Sequence, residues 1–224
     1  MMLQAVIFDM DGTIVNSMPY HLKSWDLFFE HHGINMPPER FEQIHHGTLY
    51  DIMPRIFGEH ITAKEAYELG MLKEKLFRDL YRGNVTPLPG LPALLKALKA
   101  AHVKIGLATA ADFTNADFTI DELGLRPYFD TIVTSDLVPE GKPSPAVYQY
   151  AAHELQVPPK ACLVFEDTPS GIMAAHRAGM QVIGVASGLS HQALRQLPVA
   201  DVVDHFEQLT VAGLNQYLEN AIYG

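Results

Sequence analysis

A chain of 224 residues, 48% of them hydrophobic, with a formal net charge of −10, holds enough apolar material for one sizeable core and an inserted subdomain. The acidic balance and the lack of a Lys/Arg cluster exclude a nucleic-acid footprint, and no apolar run approaches the roughly 18 residues of a membrane span, so neither nucleic acid nor membrane is expected as a partner. The single cysteine, Cys162, excludes an intramolecular disulfide and reads as a small buried hydrophobe; with no signal-peptide pattern, a cytoplasmic protein is expected.

The first element is an apolar strand over residues 3–8, which runs straight into Asp9 and Asp11 in AVIFDMDGTIVNS. From about 18 to 85 the pattern is helical, with helices over 19–32, 39–46, 51–57 and 63–81 and no convincing strand. Pro87-Leu88-Pro89-Gly90 marks a turn. A helix over 91–101, apolar at 91, 94, 95 and 98, begins a strict alternation. Strands follow over 103–108, 131–134, 161–165, 181–185 and, weakly, 201–203. Between them lie helices over 113–123, 144–155 and 169–178, the first and last stopped by Gly124 and Gly179. Strands alternating with helices predict an α/β fold: a Rossmann-like parallel sheet in a three-layer αβα core, with an inserted all-helical cap. The core takes residues 1–16 and 86–224, and the cap takes 17–85. Because ligands bind beyond the carboxyl ends of parallel strands, an insert leaving from that edge is placed to act as a lid.

Two of these strands end in acids. Asp9 and Asp11 follow the first; the plain alternative is an Asp-Gly turn. Glu166 and Asp167 follow the run 161–165 in LVFEDTPSGI, where Asp167 or Thr168 also reads as a helix cap. If both strands are central and parallel, the two acid pairs meet at one edge. Neighbouring carboxylates resist ionisation unless a cation relieves them, and a hard cation such as Mg²⁺ prefers oxygen ligands. Thr109 ends a third strand, suited to a phosphate oxygen or to a helix cap. Lys142, in EGKPSP, is either a solvated loop residue or the positive charge such a site needs.

DMDGT, then Thr109 after an apolar strand, then Lys142-Pro143, then Glu166-Asp167 with TPSGI resembles, in order and over essentially the whole chain, the motif set of the haloacid dehalogenase superfamily. The helical insert after the first motif is similar to that of its β-phosphoglucomutase-like branch. The resemblance implies that Asp9 is the nucleophile, forming an aspartyl-phosphate, and that Asp11 is general acid and then general base. It implies Mg²⁺ held by Asp9, the Asp11 backbone carbonyl and Asp167, with Glu166 adjacent or ligating. Thr109 and Lys142 would hold the transferring phosphoryl group.

Substrate choice is expected from the insert. His21 and Trp25, four apart in YHLKSW, are similar to a β-phosphoglucomutase pattern in which the histidine organises the general acid, so by analogy His21 would bond Asp11. Trp25 reads equally as core, and His21 as a surface or capping residue. In HHGTLYDIM, residues 45–53, His46 and Gly47 are candidate substrate contacts, although solvated loop histidines are the plainer reading of His45 and His46. Tyr50 stands about where the mutases carry a phosphate-gripping arginine, and Arg55 is out of register. Ala110, counted with the substrate positions, opens the run Ala110-Ala111-Asp112-Phe113 where the mutases have polar phosphate ligands, and Asp112 would repel a second phosphate. Lys73 is a further substrate candidate, though its amphipathic helix favours a solvated lysine.

These residues predict a monomeric Mg²⁺-dependent phosphatase of a small phosphorylated metabolite, sugar-phosphate-like. The alternative is a β-phosphoglucomutase-type mutase. A pyrophosphatase or a phosphonatase ranks lower, since neither Lys64 nor Lys73 has a sequence setting that would desolvate a Schiff-base amine. A non-catalytic binding module on the same scaffold has no use for Asp11.

Overall fold

The computed structural model describes residues 2–44 and 49–220. Among them, six strands form one sheet: β1 (Ala5–Phe8), β2 (Lys104–Ala108), β3 (Thr131–Val133), β4 (Cys162–Glu166), β5 (Gln181–Val185) and β6 (Asp201–Val203). All pairings are parallel, in the order β3-β2-β1-β4-β5-β6. The helices are α1 (Met18–His31), α2 (Pro38–Ile44), α3 (Leu49–Phe57), α4 (Ala63–Tyr81), α5 (Leu91–Ala100), α6 (Phe113–Glu122), α7 (Ala146–Leu155), α8 (Pro169–Arg177), α9 (His191–Leu194) and α10 (Val211–Asn220).

Every residue of β1 and β4 is buried, as a parallel sheet covered on both faces requires. The period of two along each strand sorts the core into two layers. Val6, Phe8, Leu163 and Phe165 pack with Leu94 and Leu98 of α5, Ile120 of α6 and Leu214 of α10. Ala5, Ile7 and Val164 face the other way, onto Tyr148 and Ala151 of α7 and Ile172 and Ala175 of α8. This is the expected αβα sandwich.

The chain divides into two compact units, one of Met1–Asn16 with Val85–Gly224, the other of Ser17–Asn84. The second is all-helical and packs around Trp25, Phe28, Phe29, Ile52, Met53 and Ala66. Its α4 opens on a capping box, with the Thr62 hydroxyl accepting from Glu65 N–H and the Glu65 side chain accepting from Thr62 N–H. No helix among the described residues is long and apolar enough to cross a membrane.

The structure differs from the sequence reading in detail. Helices α9 and α10 were not expected. Gly213 and Asn215 weaken the local helical signal of α10; it forms because Leu214 and Leu218 are fully buried against the sheet. The helix expected over 39–46 is Pro38–Ile44, and the expectations for His45, His46 and Gly47 lie outside the described residues.

Candidate active site

Sheet register builds the site. Phe8 of β1 and Phe165 of β4 are paired across the two strands and stack at 5.2 Å, with Phe206 edge-on to both at 5.8 and 5.1 Å. The ladder continues one step further, Asp9 N–H donating to the Phe165 carbonyl at 3.0 Å. Asp9 and Glu166 therefore leave the core side by side. Asp167 follows, and Thr168 caps α8 by accepting from Gly171 N–H. Asp9, Glu166 and Asp167, all buried, each bring an oxygen within 4.8 Å of the other two.

Lys142 reaches this group from the loop before α7. Its ammonium donates to Asp9 Oδ1 at 2.6 Å, to Glu166 Oε1 at 2.7 Å and to the Ala108 carbonyl at 3.2 Å. Its side chain is only 5% exposed, which overturns the solvated-loop reading. The Tyr148 ring lies beneath the ammonium, 4.9 Å from centroid to Nζ, and the Tyr148 hydroxyl donates to Glu166 Oε1 at 3.0 Å. Glu166 Oε2 accepts from Thr168 N–H at 2.8 Å and from the Thr168 hydroxyl at 3.0 Å. The Arg177 guanidinium pins the same loop through the Pro143 carbonyl at 3.0 Å.

The charges do not balance. One buried ammonium faces three buried carboxylates. Burial pushes the Asp9 carboxyl well above its usual range; Lys142 opposes this, and Glu166 and Asp167 reinforce it. Burial and then the Glu166 carboxylate raise Asp167 to about 7. Lys142 is held well above the ordinary lysine range because Asp9 and Glu166 outweigh its own desolvation. Burial and the Glu166 carboxylate raise the Tyr148 phenol, which keeps it a donor. An all-oxygen donor set with surplus negative charge fits a hard divalent cation. The backbone makes room for that set. Gly12, at φ +82°, would place a Cβ 2.1 Å from Asp167 Oδ2, and a Cβ on Gly171 would lie 1.6 Å from Glu166 Oε1. Thr13 and Ser187 hydroxyls stand 3.4 and 3.5 Å from the Asp167 carboxylate.

Asp11 is half-buried, in a tight loop closed by Gly12 N–H to the Val15 carbonyl at 2.8 Å. Thr109 is buried one residue beyond the Ala108 carbonyl that Lys142 grips, and its hydroxyl accepts from Ala111 N–H at 3.0 Å. Ala110 is exposed, and Asp112 caps α6 by accepting from Asn115 N–H. The structure thus brings Lys142 into direct contact with Asp9 and Glu166, with Asp167 grouped beside them and Thr109 adjoining. Sequence reasoning missed Tyr148, Thr13 and Ser187. Ser187 sits just beyond the end of β5, and Thr13 lies in the loop that carries Asp9 and Asp11, signals available to it; Tyr148, inside a helix, gave none.

In the helical unit, Trp25 lies 7% exposed among Phe28, Phe29 and Phe41, a core residue rather than an open contact surface. Lys73 is 2% exposed, which corrects the solvated-lysine reading. It pairs with Glu74 at 2.9 Å and lies against the Trp25 and Phe77 rings at 5.1 and 5.7 Å. An amine so paired is not free to attack a carbonyl. His21 stacks on Phe77 at 3.7 Å, its Nδ1 3.0 Å from Lys73 Nζ.

A family model for haloacid dehalogenase-like hydrolases matches residues 3–179. The chain is 31% identical to a fructose-1-phosphate phosphatase of Escherichia coli, over 80% of this chain and 95% of that one. It is 34% identical to a β-phosphoglucomutase of Bacillus subtilis, over 83% and 84% of the two chains. The crystal structure of a family IA, variant 3 hydrolase from Entamoeba histolytica superposes with a TM-score of 0.89 at 28% identity, covering 97% of this chain and all of that one.

Proposed function

This chain belongs to the haloacid dehalogenase-like hydrolases, and we propose that it is a Mg²⁺-dependent phosphatase of a small, sugar-phosphate-like metabolite, acting through a phosphoenzyme on Asp9. The observation that carries the reading is the position of Asp9: at the end of a rigid central strand, bonded to Lys142 and grouped with Glu166 and Asp167. Asp9 and Asp167, with the Asp11 carbonyl, would hold Mg²⁺, which when bound supplies charge neutralisation for the carboxylates and the phosphoryl oxygens. Glu166, with both oxygens already taken by Lys142, Tyr148 and Thr168, serves instead to hold Lys142.

The chain's own groups then divide the work. An Asp9 oxygen attacks phosphorus while the bond to the leaving oxygen breaks, and Asp11 gives that oxygen its proton. Water next attacks the phosphorus of the aspartyl-phosphate, Asp11 takes the water's proton, and the bond to Asp9 breaks to release phosphate. Lys142 fixes charge against the transferring group throughout, and Thr109 supplies a hydroxyl beside it. Asp11 suits the acid–base role because it is half-exposed, whereas Asp9, Glu166 and Asp167 are buried.

The similarity to a fructose-1-phosphate phosphatase supports a phosphorylated carbohydrate as substrate class. The similarity to a β-phosphoglucomutase keeps the mutase as second reading. Asp112 favours the phosphatase: its carboxylate caps α6, where the helix would otherwise offer N–H groups to an anion. Supplying β-glucose 1-phosphate with glucose 1,6-bisphosphate separates the two. Inorganic phosphate in excess is expected; glucose 6-phosphate in excess would overturn the choice.

A further inference from the structure

We propose that Tyr148 is a positioning residue of this active site, its hydroxyl locking the Glu166 carboxylate and its ring supporting the Lys142 ammonium. Tyr148 sits on α7, fully buried, in an apolar layer to which the same helix adds Val147, Ala151, Ala152 and Leu155. Packing alone would be met there by phenylalanine. The hydroxyl instead donates at 3.0 Å to Glu166 Oε1, the oxygen that takes Lys142 at 2.7 Å. Glu166 thus has four donors on its two oxygens: Lys142, Tyr148 and the two groups of Thr168. A carboxylate bonded in this way cannot rotate without losing a partner.

Lys142 has the complementary problem. Lysine carries its charge on a flexible four-carbon stem. Its three donors are directed to Asp9, Glu166 and the Ala108 carbonyl, and the ring face of Tyr148 closes a further side. One side chain therefore fixes the ammonium twice, once through Glu166 and once directly. Without the hydroxyl, Glu166 Oε1 is held by Lys142 alone while Oε2 keeps the two Thr168 donors, so the oxygen that anchors Lys142 loses its second restraint and the ammonium can shift relative to Asp9. The inference rests on the phosphatase reading, in which Lys142 holds the phosphoryl group.

The test is Tyr148→Phe, which keeps ring and volume and removes only the oxygen. Its kcat is expected to fall about tenfold, with KM within about twofold of wild type and a thermal midpoint lowered by only a few degrees. In a Glu166→Gln background the same substitution is expected to have no further effect, because the hydroxyl acts through Glu166. Wild-type kcat in Tyr148→Phe, or an equal loss in both backgrounds, would overturn the proposal. A second readout needs no turnover: the ¹⁵Nζ resonance of Lys142. The signal is expected to be sharp in the wild type, its protons sheltered from water, and broadened by faster exchange in Tyr148→Phe; an unchanged signal contradicts the positioning role. If the wild-type protein released no phosphate from any ester, the phosphatase reading would fail, and this resonance would still decide the role of Tyr148.

Discussion

Gly12 stands so close to Asp167 that a Cβ on it would lie 2.1 Å from the Asp167 Oδ2 oxygen, and its φ of +82° is one that L side chains rarely adopt. Both facts penalise Gly12→Ala. The left-handed backbone costs roughly 1–2 kcal/mol, and the methyl displaces a proposed metal ligand. Urea denaturation is expected to show that loss, and Mg²⁺ titration a weaker site. Unchanged stability and Mg²⁺ affinity would show that the loop adjusts and that the contact is not a constraint.

Lys142→Met removes the ammonium that bridges Asp9 and Glu166. The two carboxylates stay buried without their cation, so the loss is that of a broken buried pair, about 3–5 kcal/mol. Denaturation measured without metal is expected to show it, together with loss of phosphate release. A variant that kept both stability and turnover would remove Lys142 from the account.

Asp11→Asn tests the division of labour between the two acids of the first motif. The substitution spares the backbone carbonyl and the oxygens of Asp9 and Asp167. Turnover is therefore expected to fall by about 10² to 10⁴, while the Mg²⁺-induced rise in thermal midpoint persists. Loss of the Mg²⁺ effect together with turnover would place the Asp11 side chain among the ligands instead.

Cys162 gives a prediction with a worked sign. Burial raises its thiol from 9.0 to about 12. At pH 8 the folded chain then presents thiolate in only about one molecule in 10,000, and a disulfide reagent is expected to react only on unfolding. Between pH 9 and 12 the unfolded chain gives up a proton that the folded chain keeps, so stability falls as pH rises through that window. Rapid labelling of the native protein at pH 8 would contradict the burial.

The sheet and the carboxylates were legible in the sequence because each rests on a local pattern. Apolar runs ending in Asp9 and Glu166 mark central parallel strands, and parallel register alone brings the two acids together. Lys142 was legible as the charge such a site needs, but not as buried, since EGKPSP reads as an ordinary solvated loop. The burial of Lys73 was hidden for a related reason: its setting comes from Trp25, far away in the sequence, and from Glu74 and Phe77, which an amphipathic pattern does not rank. Tyr148 was invisible, because a tyrosine on a core-facing helix reads as packing until a carboxylate is found at its hydroxyl. Helix α10 was missed because docking, not propensity, forms it.

The most direct test of the phosphatase account is released inorganic phosphate across a panel of phosphorylated sugars with Mg²⁺, measured for the wild-type chain and for Asp9→Asn. The account predicts turnover of at least one ester by the wild type, its loss on chelation with EDTA, and none by Asp9→Asn. Turnover retained by Asp9→Asn, or undiminished in EDTA, would contradict it.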